Sequence, residues 1–382
     1  MADRLPLEGL FAVEIGHSLA GPFCGMVLSD LGATVLKVES IGKGDHARDW
    51  GPPFAGKDAV LFHAVNRGKR SVTADLRDPA TVAALRALIL DRADIVLQNL
   101  KVGTLEAIGL GAEELTAAKP SLIYCNLGAF GRVGPKRAAP GYDPLIQAAS
   151  GLMSMLGNPG DAPSRVPVAI NDIGTGIWAA LGVLAALVRR KDTGRGGVVD
   201  VSLYETALAW LTIPASDYLA SGQLPERLGS GVGNIVPYQA FDLADGRLLI
   251  AAGNDLLFGK LCRVLGLDPL ATDPRFATNG ARVANRWELI GILSDAIRQR
   301  HVEELTVALK AAGVPCGPVN TIDTALADPQ TEALGIVDVT PDGVRTVRLP
   351  LSFDGARPPL SGRAPRLGEH QDILATGKSA AP

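Results

Sequence analysis

The first 126 residues alternate short apolar runs with helical segments, and this alternation restricts the fold more than any other feature of the chain. Runs at 10–15, 34–39, 71–75, 95–99 and 122–126 read as strands, with helices expected at 23–31, 79–92 and 104–108. Strands separated by helices do not pair as hairpins; they form a parallel sheet with both faces covered. The expected fold class is α/β, with a Rossmann-like parallel-sheet large domain. Its first unit follows the plan of a dinucleotide site: strand, glycine turn, helix, strand ending in the acid Glu39. The fingerprint is incomplete. Gly16 and Gly21 fill the outer positions of G-x-G-x-x-G, but Ser18 stands where the middle glycine admits a pyrophosphate, and Pro22 follows Gly21. An NAD-dependent oxidoreductase is therefore a rival reading that the turn disfavours.

A second feature spans residues 165–208. A short apolar run (166–170) leads to Asn171-Asp172, then Gly174 and Gly176, then an apolar helix over 177–188. Arg189, Arg190 and Lys191 close it with the sign that favours a helix C-terminus. A helix apolar on all sides belongs in a core, which puts Asp172 at the positive end of a buried helix. Asp is a common cap. The glycines lower helix propensity and read as room for a group approaching the backbone. A carboxylate held by helix-terminal N–H groups stays ionised and can act as nucleophile or base. The residues alone leave both roles open. Upstream, the Gly- and Pro-rich stretch 128–144 is a long loop of the kind that carries function, ending at Tyr142-Asp143 before a helix over 144–152. One more strand is expected at 198–203.

Past residue 208 the texture changes. Runs at 238–243 and 247–252 flank Ala-Asp-Gly, a hairpin signal, and helices are expected at 255–265, 281–300 and 301–312. The expected organisation is a large domain over 1–205, a linker over 206–221 and a smaller α+β domain over 222–320. A return linker and C-terminal part (321–382) would pack on the large domain, with a strand pair near 339–349. With 47% hydrophobic and 20% charged residues, the chain buries a large core. A net charge of −3 argues against nucleic acid or an anionic membrane as partner. Four scattered cysteines lack metal-ligand spacing, so no metal is expected, and they suit a reducing compartment. No signal-peptide pattern opens the chain, and the longest apolar helix reads as short of a membrane span, so a cytoplasmic location is the expectation. The histidines are scattered and no G-x-S-x-G elbow occurs. His17 alone follows a strand directly, on the ligand side of an open α/β sheet.

Taken together, these stretches resemble the class III CoA-transferases of the CaiB/BaiF type. The resemblance runs through GHSLAGPFCGMVLSDLGATVLKVE, GDHARDWGPPF (44–54), NRGKRSVTADL (66–76) and PGYDPLIQAASGLMS (140–154). It continues in NDIGTG, TGRGGVVDVSLYE, VPYQAF (236–241), AAGNDLLFGKLCRVLG (251–266) and GVPCGPVN (313–320). It implies an interlocked, ring-like homodimer, with no cofactor held permanently and coenzyme A or acyl-CoA as substrate beside a carboxylic acid. Asp172 matches the family's nucleophile, which would pass through an aspartyl anhydride and an aspartyl-CoA thioester. Gly174 and the glycine loop containing Gly231 would stabilise the oxyanions. His17, Ser18, Leu19 and Ala20 match the turn that meets the nucleotide end of CoA; Asn99, Leu100 and Lys101 match a strand-end stretch of the same site, and Asp75 lines the adenine. Arg48, Arg137 and Arg165 are candidates for an acceptor carboxylate, and a short dicarboxylate with succinyl-CoA as donor is the expected pair. The racemase branch has histidine where this chain has Tyr142, a poor base with a reference pKa of about 10, expected here to donate a hydrogen bond. The resemblance also leaves room for a racemase of the same family and for an inactive CoA-binding subunit.

Overall fold

Six strands form the sheet that the alternation implies: β1 Phe11–Ile15, β2 Thr34–Ser40, β3 Arg70–Ala74, β4 Ile95–Gln98, β5 Ile123–Gly128 and β6 Gly197–Ser202. In this computed structural model, which describes residues 4–376, they lie in the order β3-β2-β1-β4-β5-β6, every pair parallel. The order reverses between β1 and β4, the switch point outside which open α/β sheets take ligands. Alternate residues feed two cores. Ala12, Val35, Ile95 and Cys125 pack under α1 (Ala20–Asp30) and α6 (Ile170–Thr193). Val13, Leu36, Val72 and Tyr124 pack under α3 (Pro79–Arg92) and α4 (Ala112–Ala118). Two smaller helices, α2 (Val60–Asn66) and α5 (Asp143–Ala149), complete the elements that concern the site.

Local signals account for several boundaries. Asp78 accepts the N–H groups of Ala80 and Thr81, and Pro79 opens α3 without needing a donor. α1 begins at Ala20, three residues earlier than expected, because Pro22 falls in the first turn, where its missing N–H costs nothing. The helix expected over 177–188 begins seven residues earlier. This helix, α6, starts at Ile170 and runs 24 residues to a left-handed Gly194. That makes it, by length and composition, the one described helix able to cross a membrane, contrary to the expectation; half of its most apolar window is buried in the fold, and it packs against α1. It is also not a fully enclosed helix: Ile177, Trp178, Leu181 and Val188 are 42–64% exposed in the single chain. The expected helix at 104–108 is only a turn, Glu106–Ile108, and α4 was not legible.

The chain divides into two compact units, one of residues 1–150, 166–212 and 329–382, the other of 151–165 and 213–328. The segment 151–165, read from sequence as large domain, thus belongs to the second unit. The expected linker is helical, as α7 (Leu203–Trp210) and α8 (Thr212–Ser221). In the second unit β7 (Tyr238–Asp242), β8 (Arg247–Ala251) and β9 (Cys316–Pro318) form an antiparallel sheet. Around its core of Phe241, Ile250, Phe258 and Leu293 lie α9 (Asp255–Leu265), α10 (Asn279–Ala284), α11 (Arg286–Ile297) and α12 (Val302–Ala311). The long helix expected at 281–300 breaks at Asn285, whose ψ of 30° leaves the helical range.

Candidate active site

Asp172 is the third residue of α6. Ala169, at the cap position, has no side chain to offer, and the cap comes from α5: Asp143 Oδ1 accepts the Asn171 N–H at 2.7 Å. Gln147, fully buried one turn along α5, donates to Asp143 Oδ2 at 2.6 Å and accepts the Val166 N–H at 2.8 Å. Capping is therefore Asp143's task, and the Asp172 carboxylate takes no hydrogen bond among the described residues. Burial first, and then the charge of Asp143, push the Asp172 carboxyl up to about 7. This corrects the expectation of a carboxylate kept ionised by helix N–H groups, since the Ile170 N–H turns to the Val168 carbonyl and that of Asn171 to Asp143. When ionised, Asp172 is a poorly solvated carboxylate with its lone pairs unengaged, as a nucleophile requires. Tyr142 precedes Asp143 at the start of α5, its ring half exposed beside this pair of helix ends.

The glycines after Asp172 make room for helices rather than for a ligand. A Cβ at Gly174 would lie 2.5 Å from Trp210 Cζ2 of α7, and one at Gly176 would lie 2.9 Å from the Ala20 carbonyl of α1. Because Ile173 N–H already bonds the Ala169 carbonyl, the N–H of Gly174 falls inside the helical ladder. Gly174 does not supply the oxyanion donor expected of it.

A cleft of about 350 Å³ opens at the C-terminal ends of β1 to β4, lined by His17, Glu39, Asp45, Asp75 and Leu100 among others. Of the residues matched to a nucleotide, His17, Asp75 and Leu100 line it. Leu19 and Ala20 are buried in the opening of α1, Ser18 is half buried, and Lys101 is exposed beyond β4. Asn99 is committed: its Nδ2–H donates to the His17 carbonyl at 2.7 Å and its Oδ1 accepts the His17 N–H at 3.0 Å. A Cβ at Gly16 would collide with that same carboxamide, and one at Gly21 would sit 3.3 Å from it. The outer glycines of the incomplete fingerprint thus accommodate Asn99, not a pyrophosphate. Glu39 is taken as well, by Arg48, Ser71 Oγ and the Asp45 N–H, so it is not the ribose-binding acid of a dinucleotide site.

Arg48 is withdrawn from the acceptor set. It is 4% exposed, forks onto Glu39 at 2.7 and 2.8 Å, and pairs with Asp58 at 2.9 Å. Arg137 is exposed on the first unit. Arg165 and Gly231 lie in the second unit, Arg165 exposed and Gly231 donating its N–H to the Leu228 carbonyl. Sequence reading missed the buried charges Glu14, Lys37, Asp45 and Lys69. The available signal was a glutamate and a lysine inside otherwise apolar strands, where a charge has to be paired. No group of side chains that could hold a metal occurs among the described residues.

A sequence profile of CoA-transferase family III matches residues 7–371. The chain belongs to that family. It is 40% identical to a succinate–glutarate CoA-transferase of Agrobacterium fabrum over 96% of this chain and 94% of that protein. With the human succinyl-CoA:glutarate CoA-transferase it shares 36% identity over 97% of this chain and 85% of the other. A CaiB/BaiF family protein of Brucella suis has the same fold, with a TM-score of 0.87 and 43% identity over 98% of this chain and 100% of that one. The chain is a CoA-transferase. The cleft over β1–β4 and the paired ends of α5 and α6 both lie in the first unit.

Proposed function

We propose that this protein moves CoA from succinyl-CoA to a short dicarboxylate, using Asp172 as nucleophile. The observation that carries the reading is the Asp172 carboxyl itself: half-buried, free of hydrogen bonds among the described residues, and raised to about 7 by desolvation and the charge of Asp143. Asp172 attacks the donor thioester carbonyl, giving a mixed aspartyl anhydride and CoA thiolate. The thiolate attacks the aspartyl carbonyl, forming an aspartyl-CoA thioester and releasing the donor acid. The acceptor carboxylate attacks that thioester and the two steps run in reverse, returning Asp172 and the new acyl-CoA. Relatives at 35–40% identity whose names pair succinate or succinyl-CoA with glutarate or D-citramalate support the substrate class. With Arg48 committed to Glu39 and Asp58, Arg137 of the first unit is the candidate to read the distal carboxylate, a charge-assisted contact that a monocarboxylate would leave empty. The working unit is an interlocked homodimer in the cytoplasm, a setting that the free Cys24, Cys125, Cys262 and Cys316 suit.

Mass-spectrometric readout of new CoA esters from succinyl-CoA and a panel of acids tests the reading, with glutarate set against valerate. Equal rates for these two would remove the dicarboxylate assignment. Asp172→Ala is expected to abolish exchange and to lose the CoA adduct on the peptide carrying residue 172. Retention of a tenth of the rate would sink the mechanism, since a missing nucleophile costs several factors of ten at about 1.4 kcal/mol each.

A further inference from the structure

The turn between β1 and α1 sits on a stack of buried charges. Lys37, fully buried in β2, donates to Glu14 Oε1 at 2.8 Å and the Gly16 carbonyl at 3.1 Å, and forms an ion pair with Asp45 Oδ2 at 2.8 Å. Lys69 shares Glu14 from the other side at 2.7 Å, so two lysines face two carboxylates and the stack is neutral. Asp45, 2% exposed, turns its other oxygen upward, where Oδ1 accepts the N–H groups of Ser18 and Ala47, both at 2.9 Å. Ser18 is one of two described residues other than glycine with a left-handed backbone, at φ 71°. That conformation is unfavourable for a residue with a Cβ and persists only where its surroundings impose it. On the far side Asn99 grips both backbone groups of His17. Lys37 therefore holds the carbonyl that enters the turn and also the carboxylate that anchors its centre. His46, next to Asp45, meets the His17 ring edge-to-face at 5.2 Å, and all three residues line the cleft.

We propose that Asp45 is a positioning residue: held by Lys37, it imposes the left-handed Ser18 and so presets the turn that receives the nucleotide end of CoA. This rests on the CoA reading of the cleft. A buried charge stack is expensive to desolvate and is a weak source of stability, but it fixes one geometry among alternatives. Asp45 acts through the Ser18 backbone, so its removal is expected to act on affinity for the nucleotide and not on the transfer steps.

The test is calorimetric titration of the full-length protein with CoA, together with KM and kcat for succinyl-CoA and the acceptor, in wild type and Asp45→Asn. The asparagine variant is expected to weaken CoA binding and raise the acyl-CoA KM about tenfold or more. Its kcat and acceptor KM should stay within about twofold. Unchanged CoA affinity in Asp45→Asn overturns the proposal, and so does a parallel loss in kcat and acceptor KM, which is the mark of general disruption. Should Asp45→Asn not fold, Ser18→Val decides, because a β-branched residue rejects the left-handed region without touching the stack. It is expected to weaken CoA comparably, and wild-type affinity there overturns the proposal. A wild-type protein that binds no CoA would instead overturn the reading of the cleft itself, and this inference with it.

Discussion

At the residue scale, Asp172 and Asp143 divide two tasks between two carboxylates a helix end apart. Asp143 receives the hydrogen bonds of a cap and of Gln147, while Asp172 receives none among the described residues and bears the cost of burial. The proposed transfer through Asp172 needs this carboxyl ionised, so kcat/KM for acyl-CoA is expected to rise between pH 6 and 8 with a midpoint near the value of about 7. Asp143→Asn removes one of the two causes and should move that midpoint down; an unmoved midpoint would assign the whole shift to burial. The same carboxyl affects stability. Its folded pKa of about 7 lies above the ordinary aspartate value of 3.8, so the folded state holds the proton more tightly between those two values. Stability contributed by this group is full below the lower value and is lost as pH rises through the upper one. Asp172→Asn should therefore melt a few degrees above wild type at pH 8 and close to it at pH 4, a comparison that thermal scans resolve directly.

Among the elements, α6 is the one to which the others are fitted. It packs on α1 through Gly176, on α7 through Gly174, and takes its N-terminal cap from α5. Gly174→Ala sets two effects against each other: about 1 kcal/mol of helix propensity gained, and about 1–3 kcal/mol lost by overpacking against Trp210. A Cβ 2.5 Å from an indole carbon cannot be absorbed by rotation of the alanine, so a net loss is expected in urea melts. Gly174→Ala combined with Trp210→Leu should recover part of it. A Gly174→Ala protein more stable than wild type would mean that Trp210 moves aside at little cost.

For the whole molecule, the outer surface of α6 and α7 sets the expectation. In the single chain Ile177, Trp178, Leu181, Leu208 and Trp210 are all 42–53% exposed, and large apolar exposure concentrated on two adjoining helices marks a contact surface. The proposed homodimer would cover it. Sedimentation is expected to give twice the 39.7 kDa chain mass, and Leu181→Asp to shift the protein toward one chain or aggregate. A wild type that sediments at the mass of one chain would leave this surface without its proposed occupant.

Much of this was written locally. The period of strands and helices, the Asp78-Pro79 start of α3 and the Ala-Asp-Gly hairpin depend on neighbours in sequence, and β1 to β6 stand where those patterns put them within a few residues. Asp172 was legible as a candidate because residue type, helix start and flanking glycines lie together in NDIGTG. What the chain alone did not decide was what each group faces. The cap of α6, the close packing at Gly174 and the ion pairs of Arg48 each turned on a partner distant in sequence, namely Asp143, Trp210 and Glu39/Asp58. Burial and pairing are properties of those contacts, and they set the pKa of Asp172, the commitment of Asn99 and the charge stack beneath Ser18. Local sequence chose the elements; packing between separate segments chose which polar groups were left free to react.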